Sequence, residues 1–542
     1  MRALLSSHQV WLALGSLWFV PACFSSGTFK DQPIAWQVDD RRDIAEPEEL
    51  EFYRYTTLVD AFALRRTTRL LELRDREPAW NVNALDEVPD SSWFTNRIGV
   101  RHVSEEEAAV AASQAGPPRL PLELVGGKPG GANPGMLAKD ADGRRFVIKF
   151  DTKENPGMQT ATNTIVNRIF WTLGYNVPND TIFTFSRRDV FVGEGATIKD
   201  QMGRKLPMTD ADLERTLDSA PRYADNRYRA TASEFIAGIP KGGWAKEGVR
   251  EDDPNDRIPH EHRRELRGLR VFSAWLNHSD IKQDNTHDTY VERDGKRFLE
   301  HYLLDFGEAF AGQSAEAERN ETGYEHWIDY ENQPLAALSF GIWVRPWEHL
   351  KETRWPSIGI FSANHFDPEA WRPMSPYWPF DEADIRDKYW AAKLVMRFSK
   401  PLLRALVTTG QLEHESAERY LTDTLYERRR IIGETYFEAV SPLDHFEIDR
   451  QNLCAIDLSV YYGLVTSGLV EALDDKNQVR FDTLVNPSNG RVCLPIHDDD
   501  EYRIYRLRVR RRSEEKPIMQ VHFKGGERPR VLGIVRVEHS HG

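Results

Sequence analysis

Side chains able to do chemistry crowd into residues 271–310, which read VFSAWLNHSDIKQDNTHDTY and then VERDGKRFLEHYLLDFGEAF. An apolar helical run closes at Asn277, and a polar loop carrying His278, Asp280, Lys282 and Asn285 follows at once. Two strand-like runs come next, joined at Asp294-Gly295, a dipeptide that favours tight hairpin turns. The second run, 298–304, delivers Asp305-Phe306-Gly307 at its end. A hairpin there brings Asn285 and Asp305 together although 20 positions separate them. Two carboxylates, an amide and an ammonium gathered in this way suit chemistry on a highly charged group held by a hard divalent cation.

The order of these residues resembles the catalytic loop H-x-D-x-K-x-x-N and the metal-binding D-F-G of the protein-kinase-like superfamily, in its atypical bacterial members. The resemblance implies phosphoryl transfer, which asks a protein for positioning and charge neutralisation more than for covalent chemistry. Asp280 would then be the base that meets the attacking hydroxyl, and Lys282 would steady the phosphoryl group. Asn285 and Asp305 would hold the Mg²⁺ that bridges the phosphates of ATP.

Elements that could position such a site are legible on both sides. From residue 122 the chain reads as strand, glycine-rich loop (Gly126-Gly127-Lys128-Pro129-Gly130-Gly131), strand, an Asp142-Gly143 turn, and a strand 145–150 containing Lys149. This is the order of a kinase-like N-lobe, in which Gly130 and Gly131 would let backbone approach phosphate and Lys149 would reach it. A helix over 160–173, with amphipathic spacing and Gly174 as its stop, should supply an acidic partner for that lysine. It holds Asn163 instead and no acid at all, so the ion pair is either absent or made by Asp151 or Glu154. Residues 234–238 fit the inter-lobe crossing that meets an adenine, and 381–441 are strongly helical, as a C-lobe would be. His260 and His262 lack the spacing of a metal site and fit better as a solvated first turn.

The expected fold is therefore α+β, with a bilobal kinase-like core and two appendages. The segments are 1–22 as a signal peptide, 23–118 as tether and helical extension (a helix over 48–73), 119–245 as N-lobe, 246–445 as C-lobe and 446–542 as a β-rich module. In the last, Tyr505, Leu507 and Val509 alternate with Arg506, Arg508 and Arg510, the two-residue period of a strand whose arginine face should be solvated.

The first residues carry an address. An 11-residue apolar run at 10–20 follows a positive start, and Val20-Pro21-Ala22-Cys23 resembles the bacterial lipobox. That resemblance implies an exported protein lipid-anchored through Cys23 in the cell envelope, with outer rather than inner membrane retention. Cys454 and Cys493 remain as either a disulfide or two free thiols. A net charge of −14 argues against nonspecific binding to nucleic acid or to acidic lipid. The expected partners are a nucleotide, the membrane through the lipid, and a hydroxyl-bearing acceptor. The competing expectation is a pseudokinase or envelope scaffold that binds without catalysis, favoured by Asn163 and by an address outside the ATP-rich cytoplasm.

Overall fold

The computed structural model describes residues 28–51, 59–71, 76–128, 133–199, 203–223, 225–312, 322–340, 342–350, 355–496, 501–511 and 514–536. Cys23, Gly130 and Gly131 lie outside them. The chain is mixed α+β, with several sheets and a helical layer between them.

The first sheet has seven strands: β1 (Leu122–Gly127), β2 (Gly135–Lys139), β3 (Arg145–Phe150), β4 (Asp180–Phe185), β5 (Val190–Lys199), β6 (Lys205–Pro207) and β7 (Tyr228–Glu234). Their order is β4-β7-β3-β2-β1-β5-β6, antiparallel except where β1 meets β5. Alternation explains the layer: in β3, Phe146, Ile148 and Phe150 are buried while Arg145, Val147 and Lys149 take the other face. Gly126 and Gly127 belong to β1 rather than to a phosphate loop. A Cβ on Gly126 would come 2.8 Å from Thr197 O, so the glycine serves close approach of β5.

Helix α1 (Met158–Leu173) follows β3 and corrects the amphipathic expectation: 15 of its 16 residues are buried. The sheet covers one side, and residues 88–112 with the helical layer cover the rest. Several of its polar groups bond within the fold: Arg168 donates to Ala109 O and Asp180 O, and Asn167 to Pro178 O. Gly174 stops the helix at φ 136°, where a Cβ would collide with the Phe94 ring.

Helix α2 (Asp210–Asp218) covers the sheet's other edge with Leu213 and Leu217. After β7 the chain crosses at 235–238, with Gly238 at φ 121°, to β8 (Ile239–Pro240). β8 joins β9 (Thr286–Arg293) and β10 (Lys296–Leu303) in a three-stranded sheet. Helices α3 (Arg264–Leu276), α4 (Ile385–Met396), α5 (Lys400–Thr408) and α6 (Glu415–Phe437) form the helical layer. Strands β11 (Leu443–Asp449) to β19 (Arg530–Arg536) then build a three-stranded and a six-stranded sheet around their own core, with one helical turn, Leu458–Tyr461.

Three expectations change. Residues 48–51 are not helical: Glu48 N donates to Asp252 and Leu50 N to Lys241 O, tying the segment down extended. Helical residues are described over Asp60–Leu64 and Arg65–Leu70. His260 is not solvated but buried, between Asp256 and Ala245 O, while His262 stacks on Trp80. The arginine stripe of β16 (Tyr502–Arg511) is no solvated face either. Fully buried Glu471 on β13 (Leu469–Leu473) takes Arg508 at 2.7 Å and also Arg510, and Arg506 caps Asp474 O. Cys454 and Cys493 are cross-strand partners joined in a disulfide.

Candidate active site

The hairpin β9–β10 organises the site. Its Asp294-Gly295 turn has φ of 52° and 74°, the left-handed pair that tight hairpins need. Register pairs Thr286 with Leu303, and Leu304 N donates to Asn285 O at 2.9 Å, so pairing runs one step past the strands. The next residue, Asp305, breaks away at φ 56°, a left-handed conformation costing about 1 kcal/mol for a non-glycine residue. That turn sends its carboxylate toward the seven-stranded sheet and Phe306 into the core. Phe306 stacks on Phe170 of α1 at 5.2 Å and lies 5.9 Å from the His278 ring. Neither His278 nitrogen has a hydrogen-bond partner, and burial drops its pKa to about 4.

Lys149 meets Asp305 from the opposite side, Nζ to Oδ1 at 2.8 Å. Burial alone would raise the Asp305 carboxyl, but Lys149, with Lys128 and Lys282 behind it, pulls it down to about 2. The carboxylate nevertheless stays 44% exposed, open to the cleft. The acidic partner expected from Asp151 or Glu154 is therefore supplied by Asp305. Asp151 accepts instead from Thr160 N and Oγ1 at the start of α1. Asn163, at the position where an acid was expected, donates to Oδ2 of fully buried Asp180 at 2.6 Å and accepts from Phe306 N at 3.1 Å. It thereby ties α1 to both β4 and the residue after Asp305.

Asp280 sits under the cleft. Its carboxylate accepts from Lys282 Nζ at 2.8 Å and from Asn285 Nδ2 at 2.9 Å. Burial raises its pKa, against the pull of Lys282 and Asn285. For Lys282, burial pulls the other way, yet the Asp280 charge prevails and raises it. Asn285 Nδ2 also donates to Asp280 O at 2.7 Å, and its amide oxygen accepts no hydrogen bond from the described residues. An ionised, accessible carboxylate at Asp305, with Asn285 at the neighbouring strand end, fits a divalent cation. Among the described residues no group of three or more His, Cys, Asp or Glu makes a cage, so such a cation would draw its other oxygens from phosphate and water.

Sequence reasoning missed three groups. Lys128 is the first: Gly135, the cross-strand partner of Lys149, has no Cβ, and one there would lie 2.9 Å from Lys128 Cδ. The Lys128 stem thus runs over Gly135 beside Lys149. Burial and the Lys149 charge lower its pKa to about 8, opposed by Asp305 and Glu308. A lysine embedded in glycines was the available signal. Glu308 is the second, within electrostatic reach of Lys128, Lys149 and Lys282. Asp180 is the third, an acid opening an otherwise apolar strand.

No family model and no curated protein matches the chain. Solved structures similar to it include two of one kinase. The crystal structure of the Golgi casein kinase is 9% identical, with 73% of this chain and 93% of that chain covered and a TM-score of 0.31. The Golgi casein kinase with Mn/ADP bound is 11% identical, with 72% and 92% covered and a TM-score of 0.30.

Proposed function

We propose that the chain is a kinase-like phosphotransferase that uses ATP and Mg²⁺ to modify a hydroxyl-bearing acceptor. One observation carries the reading: Asp305, at the end of one hairpin strand, is held at a left-handed φ against Lys149 of a separate sheet, while Asn285 and Asp280 lie at the end of the other. Such strain persists where surrounding structure over-determines it, which is common at functional sites.

Asp305 and Asn285 would hold the cation, which supplies charge neutralisation on the phosphates. Lys149 would turn its ammonium from Asp305 to phosphate oxygens. Asp280, its pKa raised by burial, would accept the proton of the acceptor hydroxyl, and Lys282 would keep that carboxylate oriented. The exposed backbone of 235–238, crossing between the two sheets, would face the base of the nucleotide. Lipid attachment at Cys23 and residence on the outer membrane of the envelope belong to the same proposal and are supported by sequence alone.

The test is a thermal shift followed by a transfer assay. Wild type should gain stability with ATP and Mg²⁺ as RT ln(1 + [L]/Kd), and Asp305→Ala should lose the Mg²⁺-dependent part. Asp280→Ala should keep the shift and lose phosphate transfer. A shift indifferent to Mg²⁺ would assign the chain to nucleotide binding without catalysis, and no shift at millimolar ATP would sink both readings.

A further inference from the structure

Two segments remote in sequence face each other with their apolar side chains outward. Residues 59–71 expose Leu64 and Leu71. Residues 327–340 and 342–344 expose Ile328, Tyr330, Leu338, Phe340 and Ile342, and the helix Asn332–Leu338 within them buries no residue at all. Phe340 is 93% exposed and Ile342 86%, so these side chains project rather than lie flat. Arg66 ties the segments together, donating to Ile328 O at 3.4 Å with its guanidinium 5.1 Å from the Tyr330 ring centre.

Between them runs a groove of about 750 Å³ whose polar lining is mostly cationic: Arg65, Arg66, Arg69, Arg76 and Lys246, with Trp378 as an aromatic wall. Some of that charge is neutralised within the fold. Arg65 pairs with Asp60 and Glu247, Arg69 with Glu382, and Lys246 with Asp60. Arg66 and Arg76 have no ion-pair partner among the described residues. Of the groove's own carboxylates, Glu331 is held by Arg372 at 2.7 Å, and buried Asp381 lies within electrostatic reach of Arg69 and Arg76. A locally positive surface on a chain of net charge −14 calls for an anionic partner at short range.

We propose that residues 59–71, 327–340 and 342–344 dock the protein on a bilayer rich in anionic lipid. Leu338, Phe340 and Ile342 enter the acyl boundary, and Arg66 and Arg76 receive headgroup phosphates in the groove. Projecting aliphatic and aromatic groups set among guanidiniums are the pattern of an interfacial anchor. The face is rooted beside the catalytic loop: Trp327 N donates to Met374 O, and Met374 N to Ser279 O, the neighbour of Asp280. Docking would therefore place the cleft at the membrane surface, where an acceptor presented by the bilayer is within reach. The proposal does not depend on phosphoryl transfer or on lipidation.

The experiment is co-flotation of the full chain, carrying Leu12→Glu, Leu14→Glu and Cys23→Ser so that residues 1–27 contribute no anchor. Phosphatidylglycerol vesicles should carry the protein at low salt, and phosphatidylcholine vesicles should not. Phe340→Glu with Ile342→Glu should abolish flotation, and Arg66→Gln and Arg76→Gln should each weaken partitioning about fivefold. These side chains are exposed, so unchanged melting temperatures will show that the variants fold. Failure to float on anionic vesicles, or flotation indifferent to positions 340 and 342, overturns the proposal. Self-association or capture of a protein through the same patch without lipid binding overturns it equally.

Discussion

At the scale of single residues, the cleft gathers three ammonium groups around one carboxylate. Lys128, Lys149 and Lys282 all lower the pKa of Asp305. Lys128 and Lys149 repel each other, an arrangement that a chain of phosphates would relieve. Lys128→Met, which keeps the stem over Gly135, should weaken ATP binding roughly tenfold or more, a loss of one charge-assisted contact. Calorimetric titration with ATP and with adenosine separates the outcomes, because the adenosine affinity should not change. His278 gives a second expectation. Its folded pKa of about 4 lies below the unfolded value of 6.5, so on acidification the unfolded chain takes up a proton that the native state refuses. Stability should fall between pH 6.5 and pH 4, with up to about 3 kcal/mol due to this residue. His278→Leu should flatten that part of the pH profile of chemical denaturation; a profile of unchanged slope would show that the ring is not the neutral core group described.

At the scale of elements, what could be read from sequence followed period and turn chemistry. The β9–β10 hairpin was legible because Asp294-Gly295 supplies two left-handed residues between alternating runs. Helix α1 was legible in extent but not in environment: its polar residues suggested a wet face, and only tertiary cover by residues 88–112 makes Asn163, Asn167 and Arg168 internal hydrogen-bonding groups. The partner of Lys149 could not be found by local reasoning, since Asp305 lies 156 positions away and reaches it only across two sheets. The salt-bridged arginines of β16 were unreadable for the same reason, as Glu471 belongs to a neighbouring strand. Gly174 tests the packing of α1. An alanine there must adopt φ 136° and enter the Phe94 ring, so Gly174→Ala should cost roughly 2–4 kcal/mol. Urea denaturation should report a lower midpoint with an unchanged slope.

At the scale of the whole molecule, buried charges add to the apolar core that the amino-terminal extension shares with the helical layer, and they carry the join on to the carboxy-terminal sheets. Asp444 of β11 accepts from Lys393 of α4 and Arg536 of β19, each at 2.8 Å. Lys393 also pairs with Glu87 of the extension, and Arg536 donates to Ser441 O and Leu443 O. A second cluster alongside holds Arg264 and Arg267 of α3 on Asp387, with Asp86 closing it. Burial would raise the Asp444 carboxyl, but Lys393 and Arg536 hold it far below the usual carboxylate range. The depressed pKa makes this contribution present above pH 4 and lost as the pH falls below it. Asp444→Asn keeps the shape and removes the charge, leaving buried Arg536 with Asp86 at 3.7 Å as its remaining carboxylate, a loss of roughly 3 kcal/mol. Because the network spans all three parts, the variant should lower one cooperative calorimetric transition, and nucleotide-dependent stabilisation should move with it. Two separate transitions, with only that of residues 443–536 displaced, would instead show that the carboxy-terminal sheets stand apart from the cleft.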